Sequence, residues 1–509
     1  MDTARDLTLE QHRTMLAALQ AALGPQTERI ETHISSLLLH GGFADKLRKP
    51  LTLPYLDFAS AAARRRDCEE ELRLNRRTAP QLYLEVRPVL GSPEAPRIGE
   101  PGDSDGAIDW LLRMRRFDNE QLLDRLAARG ALADADIDAL ARCVADFHAA
   151  LPASPAAWGA PDGVLAWARA NFTALGAQAP ADLHDWTERE FERVAPLLAL
   201  RRAQGFVREG HGDLHLGNIV RAEGEPLPFD GIEFNPALRH TDTMADAAFV
   251  FMDLWRHDLP RGAWRFASGY AERGGDFAGL ALLPFFAVYR ALVRAQVAAI
   301  RGDGAALQRD LRVAGELARL RRPRPLLLLT SGLSGSGKST AALALLQSLG
   351  AVRVRSDVER KRLAGMAVTA RPTDEQAHAL YGAAMTRRTY ARLNGIAADL
   401  LRAGLNVIVD AAALRRSERD ALRALAASAG ADFHIVECAA SDVVLRERIT
   451  RRLADDRDAS DATLAVLDLQ LRVREPLAAE EQGLRLDTDA DPAEVAGRCA
   501  ALARQLAVQ

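Results

Sequence analysis

The chain has 509 residues, too many for a single hydrophobic core, and this length predicts roughly two to four domains. Hydrophobic residues make up 48% and charged residues 27%, and a net charge of −3 argues against a strongly cationic nucleic-acid-binding protein. The four cysteines are dispersed and form no CxxC pair, which argues against a disulfide framework or a zinc site and favours a reducing cytoplasm.

Two further features concern membranes. The first residues carry acids where a signal peptide needs positive charge and an apolar run, so we expect no signal peptide. The most apolar stretch, residues 277–300, is interrupted by Arg290 and Arg294. Its uninterrupted part is too short to span a bilayer, which predicts a buried helix.

The first part of the chain alternates predicted strands with one helix. Five segments follow in order: a hairpin over 27–50 with a Gly41-Gly42 turn, a helix over 60–77, a strand over 79–90, a turn-rich connection over 91–106 and a strand over 107–117. From about 118 to 205 the pattern is mostly helical, with a loop at 152–163. It becomes helical again after a short run at 226–235 and stays so to about 320.

A linker follows at 321–325, where RRPRP combines helix-breaking prolines with solvated arginines. Beyond it, apolar strands alternate with long helices, the signature of an α/β domain. We therefore predict one domain over 1–320, with lobes of about 1–117 and 118–320, and a second over 324–509.

The second predicted domain opens on GLSGSGKST, residues 332–340, which satisfies the pattern G-x-x-x-x-G-K-[ST]. A buried strand precedes the motif and a helix follows it, so its backbone amides can surround phosphates at a helix N-terminus. We expect Lys338 to neutralise phosphate oxygens and Ser339 to ligate Mg²⁺. The remaining nucleotide-binding candidates are Gly332, Ser334, Gly335, Ser336, Gly337 and Thr340.

Three other features of this domain suggest chemistry. Asp357 follows the second predicted strand and could accept a proton from an acceptor hydroxyl, or simply cap the next helix. Asp410 ends the buried strand NVIVD and is a candidate water-mediated Mg²⁺ partner. Five arginines in residues 445–458 predict either a solvated helix face or a lid that clamps phosphate.

The domain over roughly 324–509 resembles the P-loop kinases that include polynucleotide 5′-kinases, zeta-type toxins, chloramphenicol phosphotransferase and gluconate kinase. The motif at 332–340, SDVERK, VIVDA and the run from RERITRR to DASDA carry this resemblance. It implies that Asp357 is the general base and that Arg360 binds the acceptor or its phosphate. It also implies that Arg448 and Arg452 belong to the lid.

The first predicted domain contains HGDLHLGN at 211–218. Asp213 and Asn218 are five residues apart, and Asp230 follows in Phe-Asp-Gly, a pattern like the catalytic base and two metal ligands of protein kinases. We weighed two alternatives for HGDLHLGN, a metal site made by His211, Asp213 and His215, and a plain structural turn. The downstream Asp230 favours the kinase interpretation.

This domain resembles the aminoglycoside phosphotransferase and choline kinase-like family, which shares the protein-kinase fold. Four residues match its motif: His211, Asp213, Asn218 and Asp230. The resemblance also implies a structural role for Asp246 and an ATP-holding pair, Lys46 with Glu71, for which Lys49 and Glu70 are close competitors. No G-x-G-x-x-G loop precedes Lys46.

The tandem order resembles a bacterial family known as bifunctional aminoglycoside phosphotransferase/ATP-binding protein, over almost the whole chain. The resemblance implies a multidomain α+β and α/β protein, kinase-like and then P-loop, that uses ATP and Mg²⁺ to phosphorylate small-molecule hydroxyls. Two alternatives stay open: one active kinase with a nucleotide-binding regulatory or scaffold domain, and a C-terminal polynucleotide 5′-hydroxyl kinase. Aromatic residues make up only 6% of the chain, which counts against the second.

Overall fold

A computed structural model describes residues 6–53, 56–368, 370–454 and 463–507. The chain forms two compact units, one from Met1–Ala166 and Ala195–Asp253 and the other from Trp167–Val194 and Leu254–Gln509. The helical segment before the linker thus belongs to the same unit as the α/β sheet. The domain boundary near residue 322 stays a prediction.

The first unit begins with a helix and an antiparallel sheet. Its elements are α1 (Leu9–Leu23), β1 (Glu28–Glu31), β2 (Ser35–His40), β3 (Phe43–Arg48), β4 (Thr52–Leu53), β5 (Leu56–Asp57), α2 (Ala61–Asn75), β6 (Tyr83–Ser92), β7 (Ala95–Ile98) and β8 (Ala107–Arg115). Six strands form the sheet in the order β1-β2-β3-β8-β6-β7. The predicted hairpin is confirmed as β2 and β3, in which Leu37 pairs with Lys46. The connection predicted over 91–106 also contains strand β7.

Helix α1 covers one face of this sheet. It begins at a capping box in which Thr8 and Gln11 bond each other's backbone amide. Its buried residues Met15 and Leu19 pack with Leu38 and Leu111 of the sheet. We did not predict this helix.

The rest of the first unit is mainly helical. Its elements are α3 (Leu123–Ala128), α4 (Asp134–Ala150), α5 (Pro161–Leu175), α6 (Ala181–Ala203), β9 (Val207–Glu209), β10 (Ile219–Ala222), β11 (Glu225–Pro228), α7 (Pro236–Arg239), β12 (His240–Asp242) and α8 (Thr243–Arg256). The unit boundaries fall within α5, α6 and α8. Strands β10 and β11 form a short antiparallel pair in which Ile219 is opposite Pro228, so the segment 211–218 and Asp230 lie at the same end of the pair.

The second unit contains a parallel sheet. Its elements are α9 (Pro260–Gly274), α10 (Leu283–Ile300), α11 (Gly304–Leu317), β13 (Leu326–Ser331), α12 (Lys338–Leu349), β14 (Ala351–Arg355), α13 (Ser356–Leu363), α14 (Asp374–Tyr381), α15 (Ala383–Arg402), β15 (Asn406–Asp410), α16 (Arg416–Ser428), β16 (Asp432–Ala439), α17 (Asp442–Ala454), α18 (Leu464–Val473), β17 (Leu484–Asp487) and α19 (Pro492–Ala507). The strand order is β14-β15-β13-β16-β17, and every pairing is parallel. Every residue of β13 is buried, which agrees with the run of four leucines that opens the strand.

Parallel strands bring their carboxyl ends to one edge of the sheet. The loop after β13, the start of α13 after β14 and Asp410 at the end of β15 therefore meet at this edge. The predicted fold class, α+β in the first part and parallel α/β in the second, is confirmed.

One helix, Ala278–Ile300, is long and apolar enough to be considered as a membrane span. However, 72% of its most apolar window is buried inside the protein, which makes it weak evidence for a membrane. This burial agrees with the predicted core helix.

Candidate active sites

The segment 211–218 is held by backbone hydrogen bonds to Asp246. The amides of His211 and Gly212 donate to its two carboxylate oxygens at 2.7 and 2.9 Å. The His211 ring is buried, and its Nε2 lies 3.0 Å from the carbonyl oxygen of Phe229. Burial lowers the pKa of His211, so the ring is neutral near pH 7 and fixes the position of the loop.

Asp213 and Asn218 lie side by side. The Asn218 amide nitrogen donates to both the backbone oxygen and Oδ2 of Asp213, each at 3.0 Å. Asn218 is buried, whereas the Asp213 side chain is 37% exposed and accessible to a substrate. A structural turn alone does not require an exposed carboxylate held in this way.

The metal alternative for this segment receives no support from the described residues. Nδ1 of His215 accepts from the Gly217 amide at 3.1 Å, and the His211 ring is bound to Phe229. Within the part of the chain that the structure describes, His211, Asp213 and His215 do not form a compact group of ligand atoms.

Lys46 lies between two carboxylates. Its Nζ is 2.8 Å from Oε1 of Glu71 on α2 and 3.0 Å from Oδ1 of Asp230. Burial lowers the pKa of Lys46, but the charges of Asp230 and Glu71 outweigh this effect and raise it above the ordinary value. The lysine is therefore a fixed cation.

The structure also shows where the two competing residues lie. Lys49 pairs with Glu31 at 2.7 Å, and Glu70 pairs with Arg73 at 2.7 Å. The Lys46–Glu71 pair is thus the one that reaches Asp230.

Asp230 is fixed by its surroundings. Its φ angle is 60°, a left-handed conformation that is uncommon for a residue other than glycine. The Asp230 amide donates to the Tyr83 hydroxyl at 3.0 Å, and the Gly231 amide donates to Asn75 at 2.8 Å. Lys46 lowers the pKa of Asp230, which keeps the carboxylate ionised.

Arg48 is a functional candidate that the sequence analysis missed. It lies two residues after Lys46 on β3 and forms buried ion pairs with Asp67, Glu71 and Glu233. Oxygens of these three carboxylates lie within 4.8 Å of one another, and the Arg48 guanidinium binds all three. The period of two along a strand places residues 46 and 48 on one face, which was the available signal.

In the second unit, the loop after β13 depends on glycine. Gly332, Gly335 and Gly337 have φ angles of 148°, 82° and 75°. A Cβ atom on Gly332 would lie 2.5 Å from the carbonyl oxygen of Cys438, and one on Gly335 would lie 2.7 Å from that of Leu445. Only glycine therefore fits at these positions without displacing a neighbouring backbone.

A cavity of about 260 Å³ joins this loop to the edge of the sheet. It is lined by Ser334, Gly335, Gly337, Lys338, Ser339, Thr340, Arg355, Ser356, Asp357, Arg360, Tyr381, Tyr390, Asp410, Ala411, Ala412, Arg448, Val466 and Gln470. Of the predicted residues, Gly332 and Ser336 support the loop but do not line the cavity. The side chain of Arg452 lies outside the described residues.

Asp357 faces the cavity and does not cap the helix. Helix α13 begins after Arg355, which has no side-chain capping bond, and Asp357 lies in the first turn. Arg360, one turn further, donates to the Leu380 carbonyl oxygen at 3.0 Å, and its guanidinium lies 5.2 Å from the centre of the Tyr381 ring. A proton acceptor and a cation are thus present on the same wall.

Asp410 and Arg448 lie on other sides of the cavity. Asp410 is buried, and its Oδ2 has no hydrogen-bond partner among the described residues. Arg448 of α17 donates to the carbonyl oxygens of Thr488 at 2.6 Å and Gly335 at 3.4 Å. The arginine therefore already reaches the phosphate loop.

The lining residues that were not predicted include Gln470, Tyr390 and Tyr381. Gln470 of α18 accepts from the Ser334 amide at 2.8 Å, and the Tyr390 hydroxyl accepts from the Ala413 amide at 3.2 Å. Tyr381 stands at the end of α14. Sequence patterns offer no signal for these residues because tertiary packing brings them to the loop from distant positions.

The chain is similar to a protein family, to solved structures and to curated proteins. Residues 327–477 match the family model described as an AAA domain. The chain is similar to the GDP and kanamycin complex of APH(2")-IIia, with 14% identity, 61% of this chain and 98% of that chain covered and a TM-score of 0.40. It is also similar to a gluconokinase from Sinorhizobium meliloti 1021, with 25% identity, coverage of 36% and 95% and a TM-score of 0.27.

A curated relative covers both parts of the chain. The uncharacterized protein Rv2004c of Mycobacterium tuberculosis (strain ATCC 25618 / H37Rv) is 31% identical over 456 residues, which are 86% of this chain and 88% of the relative. The match of residues 327–477 and the relative that spans both parts confirm the predicted tandem of a first part and a P-loop part in one chain. The chain belongs to the same family as Rv2004c.

Proposed function

We propose that the protein carries two Mg²⁺·ATP-dependent kinase sites, each of which phosphorylates a hydroxyl group of a small molecule. The observation that carries the proposal is the cavity in which the phosphate loop, Asp357 and Asp410 converge. A phosphate-binding loop, a base such as Asp357 and a metal partner such as Asp410 are the components that phosphoryl transfer requires.

The residues of the second unit fit a magnesium ion. Asp410 presents a buried carboxylate oxygen without a hydrogen-bond partner among the described residues, and Ser339 lies in the first turn of the helix after the loop. Oxygen ligands of this type suit Mg²⁺. When bound, the ion would neutralise charge on the β- and γ-phosphate oxygens.

The chain's own residues then act on the reactants. The amides of the loop and Lys338 hold the phosphates, and Arg448 approaches them from α17. Asp357 takes the proton of the acceptor hydroxyl as its oxygen bonds to the γ-phosphorus. The bond from that phosphorus to the β–γ bridging oxygen breaks, which leaves ADP and a phosphate ester.

The first unit offers an equivalent set of residues. Lys46, held by Glu71, would bind the ATP phosphates, and Asp230 with the amide oxygen of Asn218 would ligate the metal. Asp213 would accept the proton of the acceptor hydroxyl. The contacts among Lys46, Glu71 and Asp230 support this assignment because they bring together residues up to 184 positions apart.

Two further points complete the proposal. The four cysteines are free, which supports a cytoplasmic location.

A polynucleotide 5′-hydroxyl acceptor is the second candidate for the C-terminal site, because Tyr381 and Tyr390 line the cavity beside Arg355 and Arg360.

The test measures phosphorylated products by mass spectrometry. Wild type, Asp213→Asn, Asp357→Asn and Lys338→Ala are each incubated with Mg²⁺·ATP and either a metabolite pool or an oligonucleotide pool. We expect each aspartate variant to lose its own product by about 10²–10⁴-fold, the usual contribution of a general base. Lys338→Ala should lose the same product as Asp357→Asn.

The matched control is Asp399→Asn, an exposed aspartate on α15 whose side chain pairs with Arg402. It should retain every product. If Asp213→Asn also retained every product, the first unit would be a nucleotide-binding module and not a second kinase. A product found only in the oligonucleotide pool would assign the C-terminal site to nucleic-acid ends.

A further inference from the structure

Helix α9, which precedes the linker, contacts the strand that leads into the P-loop cavity. Glu272 accepts hydrogen bonds from Arg353 at 3.3 Å and from Arg355 at 3.4 Å. Its backbone carbonyl oxygen also accepts from Arg362. One residue of α9 thus binds three arginines of β14 and α13.

Arg355 matters because it is part of the cavity wall. Its Nε lies 3.9 Å from Oδ2 of Asp410, which is beyond hydrogen-bonding distance. That oxygen has no hydrogen-bond partner among the described residues. Arg355 therefore lies between two carboxylates, with Glu272 on one side and Asp410 on the other.

The two carboxylates compete for one guanidinium. Arg355 and Glu272 are only 15% and 17% exposed, so water screens their attraction less than at a surface. Without the charge of Glu272, the attraction between Arg355 and Asp410 is opposed by one carboxylate fewer. An arginine bound to Asp410 would occupy the oxygen that the proposed function assigns to the metal.

We infer that Glu272 is a positioning residue of the C-terminal site, which keeps Arg355 off Asp410 and so keeps Asp410 available to a magnesium ion. The inference rests on the proposed function of that cavity. It also explains why the helical segment before the linker belongs to the same compact unit as the α/β sheet. This segment is then part of the P-loop site.

The experiment measures nucleotide binding and not turnover. A fluorescent ATP analogue, mant-ATP, is titrated into the full chain at several Mg²⁺ concentrations, and the part of the signal that Lys338→Ala abolishes is assigned to the C-terminal site. For Glu272→Gln we expect a roughly tenfold weaker affinity for mant-ATP at low Mg²⁺. The reason is that the variant removes one partner from a charged pair that is poorly solvated. High Mg²⁺ should restore the affinity, and binding without Mg²⁺ should not change.

A second variant separates positioning from folding. In Glu272→Gln/Arg355→Gln the competing cation is gone, so the Mg²⁺ dependence should return toward that of wild type. A merely structural role for Glu272 predicts that the double variant binds no better than the single one, and this result would overturn the inference.

The matched control is Arg261→Gln. Arg261 lies on the same helix and donates to the Ser348 hydroxyl of α12 at 2.8 Å, but neither residue lines the cavity. Its Mg²⁺ dependence should equal that of wild type. If Glu272→Gln left the Mg²⁺ dependence of mant-ATP affinity unchanged, only the inference would be overturned. If wild type showed no mant-ATP binding that depends on Lys338, the proposed function would be overturned as well.

Discussion

The two candidate sites solve the problem of holding phosphate in different ways. In the first unit, Lys46 of β3 is held by side chains from α2 and from the segment after β11, and Arg48 of β3 binds carboxylates of the same two elements. In the second unit, the six residues 332–337 between β13 and α12 form the loop, and three of them are glycines with positive φ. One site depends on buried charge and the other on backbone shape.

This difference decides how each site should fail. Removal of one charge from a buried cluster leaves its partners uncompensated, so the damage spreads to every element that they join. A side chain added to a backbone loop has a local effect, because it collides with one position of a neighbouring, closely packed backbone. Substitutions in the first unit should therefore affect folding, whereas substitutions in the loop should affect nucleotide binding.

The largest expected effect is that of Arg48→Met. The change leaves Asp67, Glu71 and Glu233 as three neighbouring carboxylates without their shared cation, a loss that costs about 3–5 kcal/mol when one partner of a buried pair is removed. We expect faster hydrogen–deuterium exchange in peptides from α2 and loss of the product that depends on Asp213. Exchange in the loop at 332–340 should be unchanged.

Arg116→Met is the control for this prediction. Arg116 pairs with Glu28 at 3.0 Å, and both side chains are largely exposed, so its loss should cost at most about 1 kcal/mol. Equal exchange in α2 of both variants would show that the Arg48 cluster does not stabilise the first unit.

The next effect is that of Gly332→Ala on the P-loop. The added Cβ would meet the Cys438 carbonyl oxygen of the neighbouring strand at 2.5 Å, so the loop must move. We expect roughly 5- to 150-fold weaker nucleotide binding at this site, the equivalent of the 1–3 kcal/mol that overpacking costs. Isothermal titration calorimetry with ATP and Mg²⁺ measures this change, and the product that depends on Asp213 should persist.

Gly430→Ala separates a collision from backbone strain. Gly430 also has a positive φ angle, 64°, but an added Cβ there would meet nothing within 4 Å. It should lower stability by about 1–2 kcal/mol through the left-handed backbone and leave nucleotide affinity unchanged. Similar affinity losses in both variants would mean that strain, and not the collision, disables the loop.

The same difference explains what the sequence could predict. The loop at 332–340 is contiguous, so its residues and the flanking strand and helix could be read directly, and the parallel sheet followed from alternating strands and helices. The choice of Lys46 and Glu71 depended on a resemblance, which left Lys49 and Glu70 as competitors. The contact of Lys46 with Asp230 was not predicted, because no local pattern links residues 46 and 230.

Other parts required the folded chain. Arg48 binds Glu233 across 185 positions, and Gln470 reaches Ser334 across 136. Such contacts depend on tertiary packing, for which spacing carries no signal. Helix α1 is different, because its capping box was visible at Thr8 and Gln11, but we considered that segment only for targeting signals.

The smallest expected effect concerns pH, and it follows from the reliance of the first unit on buried charge. Burial raises the pKa of Glu233 to about 7 from its ordinary 4.5. Between these values the folded chain keeps a proton that the unfolded chain has released, so stability is fully present below pH 4.5 and falls as pH rises through 7. The slope from this group is at most about 1.4 kcal/mol per pH unit.

Exchange-derived opening energies of α2, measured from pH 5 to 7.5, should fall in wild type and fall less in Glu233→Gln. Glu31→Gln is the control. Burial raises the pKa of Glu31, but Lys49 and the other hydrogen-bond partners outweigh this effect and lower it to about 2 in the folded chain. Its contribution is lost only as pH falls below its ordinary pKa, so the slope above pH 5 should not change. If Glu233→Gln left the pH slope of the α2 opening energy unchanged, Glu233 would stay ionised and paired with Arg48 over the whole pH range. The first site would then be as insensitive to pH as a loop built from backbone.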